Sequence, residues 1–121
     1  MSGNKEADQP SRLSATVRTV DDVRVVTLQG EIDHTAKDVL GQALLPEEEA
    51  PVSRVVADLT DVSFMDSSGI NTFISAHRQI NDAGGQLHLA GAGETVRRVL
   101  TLVGVDTVIP CHPTLDQALH A

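Results

Sequence analysis

The chain has 121 residues, a length that predicts one domain rather than two. Its 17 acidic and 9 basic residues give a formal net charge of -8, which argues against nucleic acid or an anionic membrane as the main partner. Its two aromatic residues, Phe64 and Phe73, are too few to form the stacking platforms of proteins that bind single-stranded nucleic acid.

The chain begins with a polar stretch. Residues 1–12 include Gly3 and Pro10 and contain no apolar run, so we expect a disordered N-terminal tail that is not a secretory signal. No run of 18 apolar residues occurs anywhere, which argues against a membrane-spanning helix. We therefore expect residues 13–121 to form one folded domain in the cytoplasm.

Two strands and a helix are predicted in the first part of this domain. The strands cover residues 15–20 and 24–30, and the two aspartates between them mark a tight turn. Apolar and polar residues alternate in the second strand, as in a half-buried strand. A helix is predicted over residues 35–45, where apolar residues recur at spacings of three and four, and Pro46 ends it.

Strands and helices alternate in the rest of the chain. A third strand is predicted over residues 55–59, followed by a loop in which Val62, Phe64 and Met65 turn toward the core. The remaining predicted elements are a helix over 67–82, a strand over 86–90, a helix over 94–103, a strand over 105–109 and a helix over 113–119.

The order β-β-α-β-α-β-α-β-α predicts an α/β fold with a mixed sheet of about five strands. Strands that alternate with helices form parallel units with right-handed crossovers, whereas the first two strands, joined by a short turn, should be antiparallel. Parallel strands buried on both faces read as continuous apolar runs, but these strands alternate. We therefore expect the helices mostly on one face and a partly solvated opposite face.

The sequence Phe-Met-Asp-Ser-Ser-Gly at residues 64–69 lies between a predicted strand and a predicted helix. Ser67 or Ser68 begins that helix, and a serine oxygen there can accept a hydrogen bond from a free backbone N–H. The same helix end has unpaired donors and a partial positive charge, so it also suits a phosphate group. Gly69 falls in the first turn, where glycine is disfavoured, and either close approach of another backbone or tight internal packing would explain it.

Three segments of the chain carry a resemblance to a known family. They are Gly30-Glu31-Ile32-Asp33, Phe64-Met65-Asp66-Ser67-Ser68-Gly69-Ile70, and Val96-Arg97-Arg98-Val99-Leu100 followed by Gly104-Val105. In this order they resemble the STAS family, the anti-sigma factor antagonists whose domain also occurs on sulfate transporters. The resemblance extends from about Val17 to Leu119 and implies a single STAS-like domain.

The resemblance implies a bacterial partner switch and not an enzyme. The first serine after the aspartate would be the phosphoacceptor, which maps to Ser67, with Ser68 as the less favoured alternative. An anti-sigma factor that is also a GHKL-type serine kinase would phosphorylate this serine with ATP, and a serine phosphatase would reverse the reaction. Only the unphosphorylated form would bind the kinase, and this binding would release the sigma factor.

The expected partner-binding surface lies at the carboxyl ends of the parallel strands and at the helix starts that follow them, where α/β sheets place their sites. Its residues are Asp33, His34, Asp66, Ser67, Ser68, Gly69, Asn71 and Ser75. The Asp66 carboxylate either orients the loop or contacts the partner, and a simple Asx-type turn explains it equally well.

A second functional hypothesis remains beside the phosphorylation switch. The chain could be a constitutive interaction module of a larger assembly, such as a transport complex, in which Ser67 is only a helix cap. The intact Asp66-Ser67-Ser68-Gly69 sequence favours the switch.

Three weaker motifs do not predict a cofactor, a metal or a catalytic site. Gly91-Ala92-Gly93 lacks the third glycine of a dinucleotide-binding loop, because that position is Val96. The five histidines have no metal-ligand spacing. Cys111-His112 lacks a third catalytic group, and a single cysteine cannot form an intrachain disulfide.

Overall fold

The computed structural model describes residues 12–45 and 54–120. Apart from Arg12, the expected N-terminal tail lies outside the described residues. Within these ranges the strands are β1 (Leu13–Val20), β2 (Val23–Ile32), β3 (Arg54–Met65), β4 (Gln86–Ala90) and β5 (Cys111–His112). The α-helices are α1 (Lys37–Leu44), α2 (Ser67–Asp82), α3 (Glu94–Leu102) and α4 (Leu115–Leu119), and 3-10 turns cover His34–Ala36 and Val105–Thr107.

The five described strands form one mixed sheet in chain order, β1-β2-β3-β4-β5. β1 pairs antiparallel with β2 through a turn in which Asp21 and Asp22 both have positive φ. The other three strand pairs are parallel, and the chain between them carries the helices. This arrangement confirms the α/β fold and the antiparallel first strand that the element order predicts.

Helices α1, α2 and α3 cover one face of the sheet and form the main core with it. Phe73 on α2 is fully buried there and is the largest such side chain in the described part of the chain. Of the described helices, the short helix α4 covers the opposite face, and its Ala118 packs on a small cluster of Val23, Val25, Val56 and Ala90. The rest of that face carries polar side chains such as Ser14 and Gln29, which confirms the partly solvated face.

Strand β3 is longer than the sequence predicts. It continues to Met65, so the segment predicted as a loop after Leu59 is strand. Two register shifts between β2 and β3 break the regular alternation, which makes this stretch read as a loop. Val62 and Met65 are buried as predicted, but the prediction for Phe64 is wrong, because its side chain is 44% exposed.

The prediction of a strand over residues 105–109 is also wrong. Val105 and Ile109 are both buried, but the Val105 carbonyl accepts hydrogen bonds from the amides of Val108 and Ile109, so the backbone turns. The last strand is instead Cys111–His112, a two-residue edge strand. Apolar residues four apart lie on one face of a strand and also on one face of a helical turn, so the spacing of Val105 and Ile109 does not distinguish the two.

The observed starts of two helices differ by a few residues from the predicted starts. The first turn of the helix predicted over residues 35–45 is a 3-10 turn, and α1 itself begins at Lys37. Helix α4 begins at Leu115, two residues after the predicted start, because Thr114 caps it and its hydroxyl accepts a hydrogen bond from the Gln117 amide.

His88 is the one polar residue that is buried among the described residues. Its Nδ1 lies 3.0 Å from Nε2 of His112, and the two rings stack with centroids 5.0 Å apart. Burial lowers the pKa of His88, and the positive charges of Arg54 and of protonated His112 lower it further. The contact between two ring nitrogens requires a proton on one of them only, so it is lost when both rings are fully protonated.

We therefore expect stability to fall as the pH drops below about 6.5, the ordinary pKa of histidine. The unfolded chain binds a proton at His88 at that pH, whereas the folded chain resists protonation until the pH is lower. Urea unfolding between about pH 7.5 and about pH 5.5 should show a shallower pH slope for His88→Gln than for the wild type. The control is His120→Gln, a substitution at an exposed histidine. Equal slopes for His88→Gln and the wild type would contradict the assignment of the pH dependence to His88.

Candidate functional site

Asp66 caps helix α2 at the carboxyl end of β3. Its backbone is extended and its Oδ1 accepts a hydrogen bond of 2.9 Å from the Ser68 amide. Its carbonyl oxygen accepts from the amides of Gly69 and Ile70, as in a regular helix start. The expectation that a serine caps this helix is therefore wrong, and the Asx-type interpretation of Asp66 is the one that the structure supports.

The two adjacent serines differ in their surroundings. Ser67 is the first residue of α2 and is exposed, and its hydroxyl makes no hydrogen bond within the described part of the chain. Ser68 is half-buried, its amide is held by Asp66, and its carbonyl oxygen accepts a hydrogen bond of 2.9 Å from the Thr72 hydroxyl. Another protein, such as an enzyme, can therefore reach the Ser67 hydroxyl more easily than the Ser68 hydroxyl.

Asp33 and His34 border this site because strands β2 and β3 end side by side. Ile32 pairs with Met65 in the sheet, and the Asp66 amide donates to the Ile32 carbonyl. Asp33 follows Ile32 and caps a 3-10 turn by accepting hydrogen bonds from the amide and the hydroxyl of Thr35.

The hydrogen bond from the Thr35 hydroxyl lowers the pKa of the Asp33 carboxyl below its ordinary value. Asp33 is therefore ionised at neutral pH. The site thus has an aspartate at each of two neighbouring strand ends, with exposed His34 beside one of them and Ser67 beside the other.

Gly69 is buried, and internal packing explains its lack of a side chain. An added Cβ would lie 2.5 Å from Cγ2 of Ile32 and 2.8 Å from Cγ of Met65. Gly69 is one of the residues expected to contact a partner, but in the structure it is buried at the junction between α2 and the sheet. Of the two explanations left open for this glycine, tight packing within the domain is the correct one.

The exposed face of α2 borders a groove. Asn71 and Ser75 are exposed on α2, and with Ser68 they line a groove of about 960 Å³ between α1 and α2. The structure thus brings Ser68, Asn71 and Ser75 to one surface that adjoins Ser67.

Phe64 is a candidate contact residue that the sequence reasoning missed. It lies three residues before Ser67 on β3, and 44% of its side chain is exposed. Exposed aromatic side chains are enriched at protein-binding surfaces, so Phe64 is a candidate for contact with a protein partner. Because the register of β3 is irregular, the alternation of apolar and polar residues does not predict that Phe64 is exposed.

The cap geometry predicts different effects at neighbouring residues. Asp66→Ala should lower the free energy of unfolding by about 1 kcal/mol, because the Ser68 amide loses its acceptor. Ser67→Ala should change it by less than about 0.5 kcal/mol, because an exposed hydroxyl without a partner is removed. Urea unfolding of both variants checks this, and a larger loss for Ser67→Ala would contradict the assignment of the cap.

A model of the STAS domain family matches residues 14–118 of the chain. The chain belongs to the STAS domain family. This STAS domain is 30% identical over 101 residues to an anti-sigma F factor antagonist from Paenibacillus polymyxa, a match that covers 80% of the chain and 84% of the relative. It is 32% identical over 84 residues to an anti-sigma-B factor antagonist from Bacillus subtilis, covering 69% and 76% respectively.

A solved structure is similar to this STAS domain over almost its full length. The crystal structure of an anti-sigma factor antagonist from Mycobacterium paratuberculosis matches it with a TM-score of 0.77 and 31% identity, covering 89% of this chain and 92% of that one.

The described residues contain neither a candidate metal site nor a candidate membrane-spanning helix. Over residues 12–45 and 54–120, no three His, Cys, Asp or Glu side chains come together in a way that could hold a metal ion. No helix in this part of the STAS domain is long and apolar enough to cross a membrane.

Proposed function

We propose that this STAS domain is an anti-sigma factor antagonist whose binding to its partner is controlled by phosphorylation of Ser67. The observation that carries the proposal is the exposed position of Ser67 at the start of α2, where its hydroxyl makes no hydrogen bond to the described residues. The antagonist role is supported by the relatives, which are named as antagonists of anti-sigma F and anti-sigma-B factors.

The local structure supports Ser67 over Ser68 as the phosphoacceptor. A kinase must bring the γ-phosphate of ATP in line with the serine oxygen, which requires a hydroxyl that projects into solvent. Ser67 meets this requirement, whereas Ser68 is half-buried and faces the groove between α1 and α2.

The helix start also allows the domain to carry a phosphate without unfolding. The first turn of α2 has backbone donors and the positive end of the helix dipole, and both favour an anion. Asp66 keeps its own hydrogen bond to the Ser68 amide, because the phosphate is added to a different group, the Ser67 hydroxyl, which makes no hydrogen bond within residues 12–45 and 54–120. Phosphorylation would therefore change the surface that a partner meets and leave the core as it is.

The proposed partner is an anti-sigma factor that is also a GHKL-type serine kinase. A serine phosphatase would remove the phosphate, and the whole cycle would take place in the cytoplasm. The STAS domain supplies no catalytic group in this cycle. The proposed contact residues surround Ser67 and include exposed Phe64 as an apolar anchor. The others are Asp33, His34, Asp66, Ser68, Asn71 and Ser75.

Intact mass and transcription measurements test the proposal. After incubation with a candidate anti-sigma kinase and ATP, the wild type and Ser68→Ala should each gain one phosphate, and Ser67→Ala should gain none. The unphosphorylated protein should restore sigma-dependent transcription that the anti-sigma factor has blocked. The protein could instead bind a partner stably, gain no phosphate and leave transcription unchanged. That result would support the constitutive interaction module.

A further inference from the structure

Two glycines lie within the described helices, and contacts among the described residues explain only one of them. Gly69 is required by Ile32 and Met65, as described above. Gly41 lies in the middle of α1 and has a negative φ, and a Cβ added there would meet no heavy atom within 4 Å among the described residues, apart from the backbone of α1 itself. Glycine in a helix interior is less favourable than alanine, because it loses more backbone entropy on folding. An approach from outside the domain would account for Gly41.

Gly41 lies in the groove between α1 and α2, which another small residue also lines. That residue is Ala76 on α2, which is buried, so neither residue projects a long side chain into the groove. Gln42 and Asn71 also line the groove and are exposed, and neither side chain makes a hydrogen bond within the described residues. Each amide offers both a donor and an acceptor, which matches the alternating groups of a peptide backbone.

The groove also has a charge that is unusual for this acidic chain. Among the described residues, Lys37 and Arg24 line it together with one carboxylate, that of Asp38, whereas the whole chain has a formal charge of -8. Nε of Arg24 donates to the Ala43 carbonyl at 3.1 Å, and the Lys37 ammonium has no ion pair within the described part of the chain. Lys37 is therefore available to pair with an acidic group of a partner.

We propose that the groove between α1 and α2 binds an extended acidic segment of the partner protein. The backbone of that segment approaches Gly41, and one of its carboxylates pairs with Lys37. The groove is continuous with the candidate site, because Ser68 and Asn71 belong to both. The inference rests on the proposed function, since the partner is the anti-sigma factor, and it extends the contact surface to α1.

Gly41→Leu tests the close approach. The leucine would project into open space in the free protein, so the melting temperature should not fall, and Gly41→Ala should raise it. Binding of Gly41→Leu to the anti-sigma factor should weaken at least about tenfold, because the side chain would occupy the space of the partner backbone. Thr95→Leu, an exposed substitution on α3 outside the groove, is the matched control and should bind like the wild type.

Lys37→Glu tests the charge pairing. It should weaken binding about tenfold and reduce the loss of affinity that added salt causes, because a screened ion pair is removed. Arg18→Glu is the matched control, because it makes the same charge change at an exposed position of β1. If Lys37→Glu and Arg18→Glu weaken binding equally, the effect comes from net charge and the charge pairing is overturned.

The remaining outcomes separate this inference from the function on which it rests. If the wild type binds the anti-sigma factor and Gly41→Leu binds equally well, the groove inference fails alone. If the wild type binds no anti-sigma factor, both proposals fail. A dimer in solution that Gly41→Leu dissociates would assign the groove to a second copy of this chain. That result would overturn the inference.

Discussion

Phosphorylation of Ser67 is expected to lower the affinity for the anti-sigma factor at least about a hundredfold and to leave the stability of the domain nearly unchanged. The phosphate carries about 1.5 to 2 negative charges at neutral pH. In the complex these charges must lose their hydration close to the carboxylate of Asp66. A buried charge without a partner costs several kcal/mol, and about 2.8 kcal/mol corresponds to a hundredfold loss of affinity.

Titration calorimetry with the unphosphorylated and the phosphorylated protein measures this effect. Ser67→Ala should bind like the unphosphorylated wild type, whatever the treatment with kinase and ATP. Ser67→Asp should weaken binding less than phosphate does, because a carboxylate adds only one charge and less bulk. Ser68→Ala is the control that should remain switchable. Equal affinities for the two forms of the wild type would contradict the switch.

Gly69→Val is expected to lower the free energy of unfolding by about 3 kcal/mol, the largest stability change among the substitutions considered. The added Cβ alone would lie 2.5 Å from Cγ2 of Ile32, which is itself buried and β-branched. Overpacking a core in this way costs about 1–3 kcal/mol, and the two further methyl groups of valine place the effect at the upper end. The gain in helix propensity over glycine is only about 0.4 kcal/mol.

Gly41→Val is the matched control for this prediction. It makes the same substitution in a helix, but the new Cβ meets no described heavy atom within 4 Å outside the backbone of α1. Urea unfolding should show stability equal to or slightly above the wild type for Gly41→Val and a large loss for Gly69→Val. A loss of less than about 1 kcal/mol for Gly69→Val would mean that α2 moves away from the sheet easily.

The effect of Gly69→Val should also extend to the candidate site. Gly69 lies two residues after Ser67 and holds the first turn of α2 against the end of β2 and β3. If valine displaces this turn, Ser67 moves with it, so phosphorylation by the kinase should slow even at temperatures where the variant is folded. The packing of one glycine would then link the stability of the domain to the position of its proposed phosphoacceptor.

Local patterns in the sequence were sufficient to determine the element order, the mixed sheet and the segment that carries the candidate site. Helix α2 runs from Ser67 to Asp82 as predicted, because its apolar spacing and the glycines after Ala83 are signals within a single element. The short turn at Asp21 and Asp22 likewise required an antiparallel first pair of strands. These features depend on residues close together in the chain.

The tertiary structure alone determined which side chains of this segment are exposed. The register shifts between β2 and β3 turn Phe64 outward and Met65 inward, and no pattern within β3 reveals the position of its partner strand. The surroundings of Gly69 and Gly41 were likewise determined by the tertiary structure. Both glycines lie in predicted helices, but the atoms around them differ. Burial and close approach depend on residues far apart in the chain, so only the folded arrangement separates a glycine required by packing from one that leaves room for a partner.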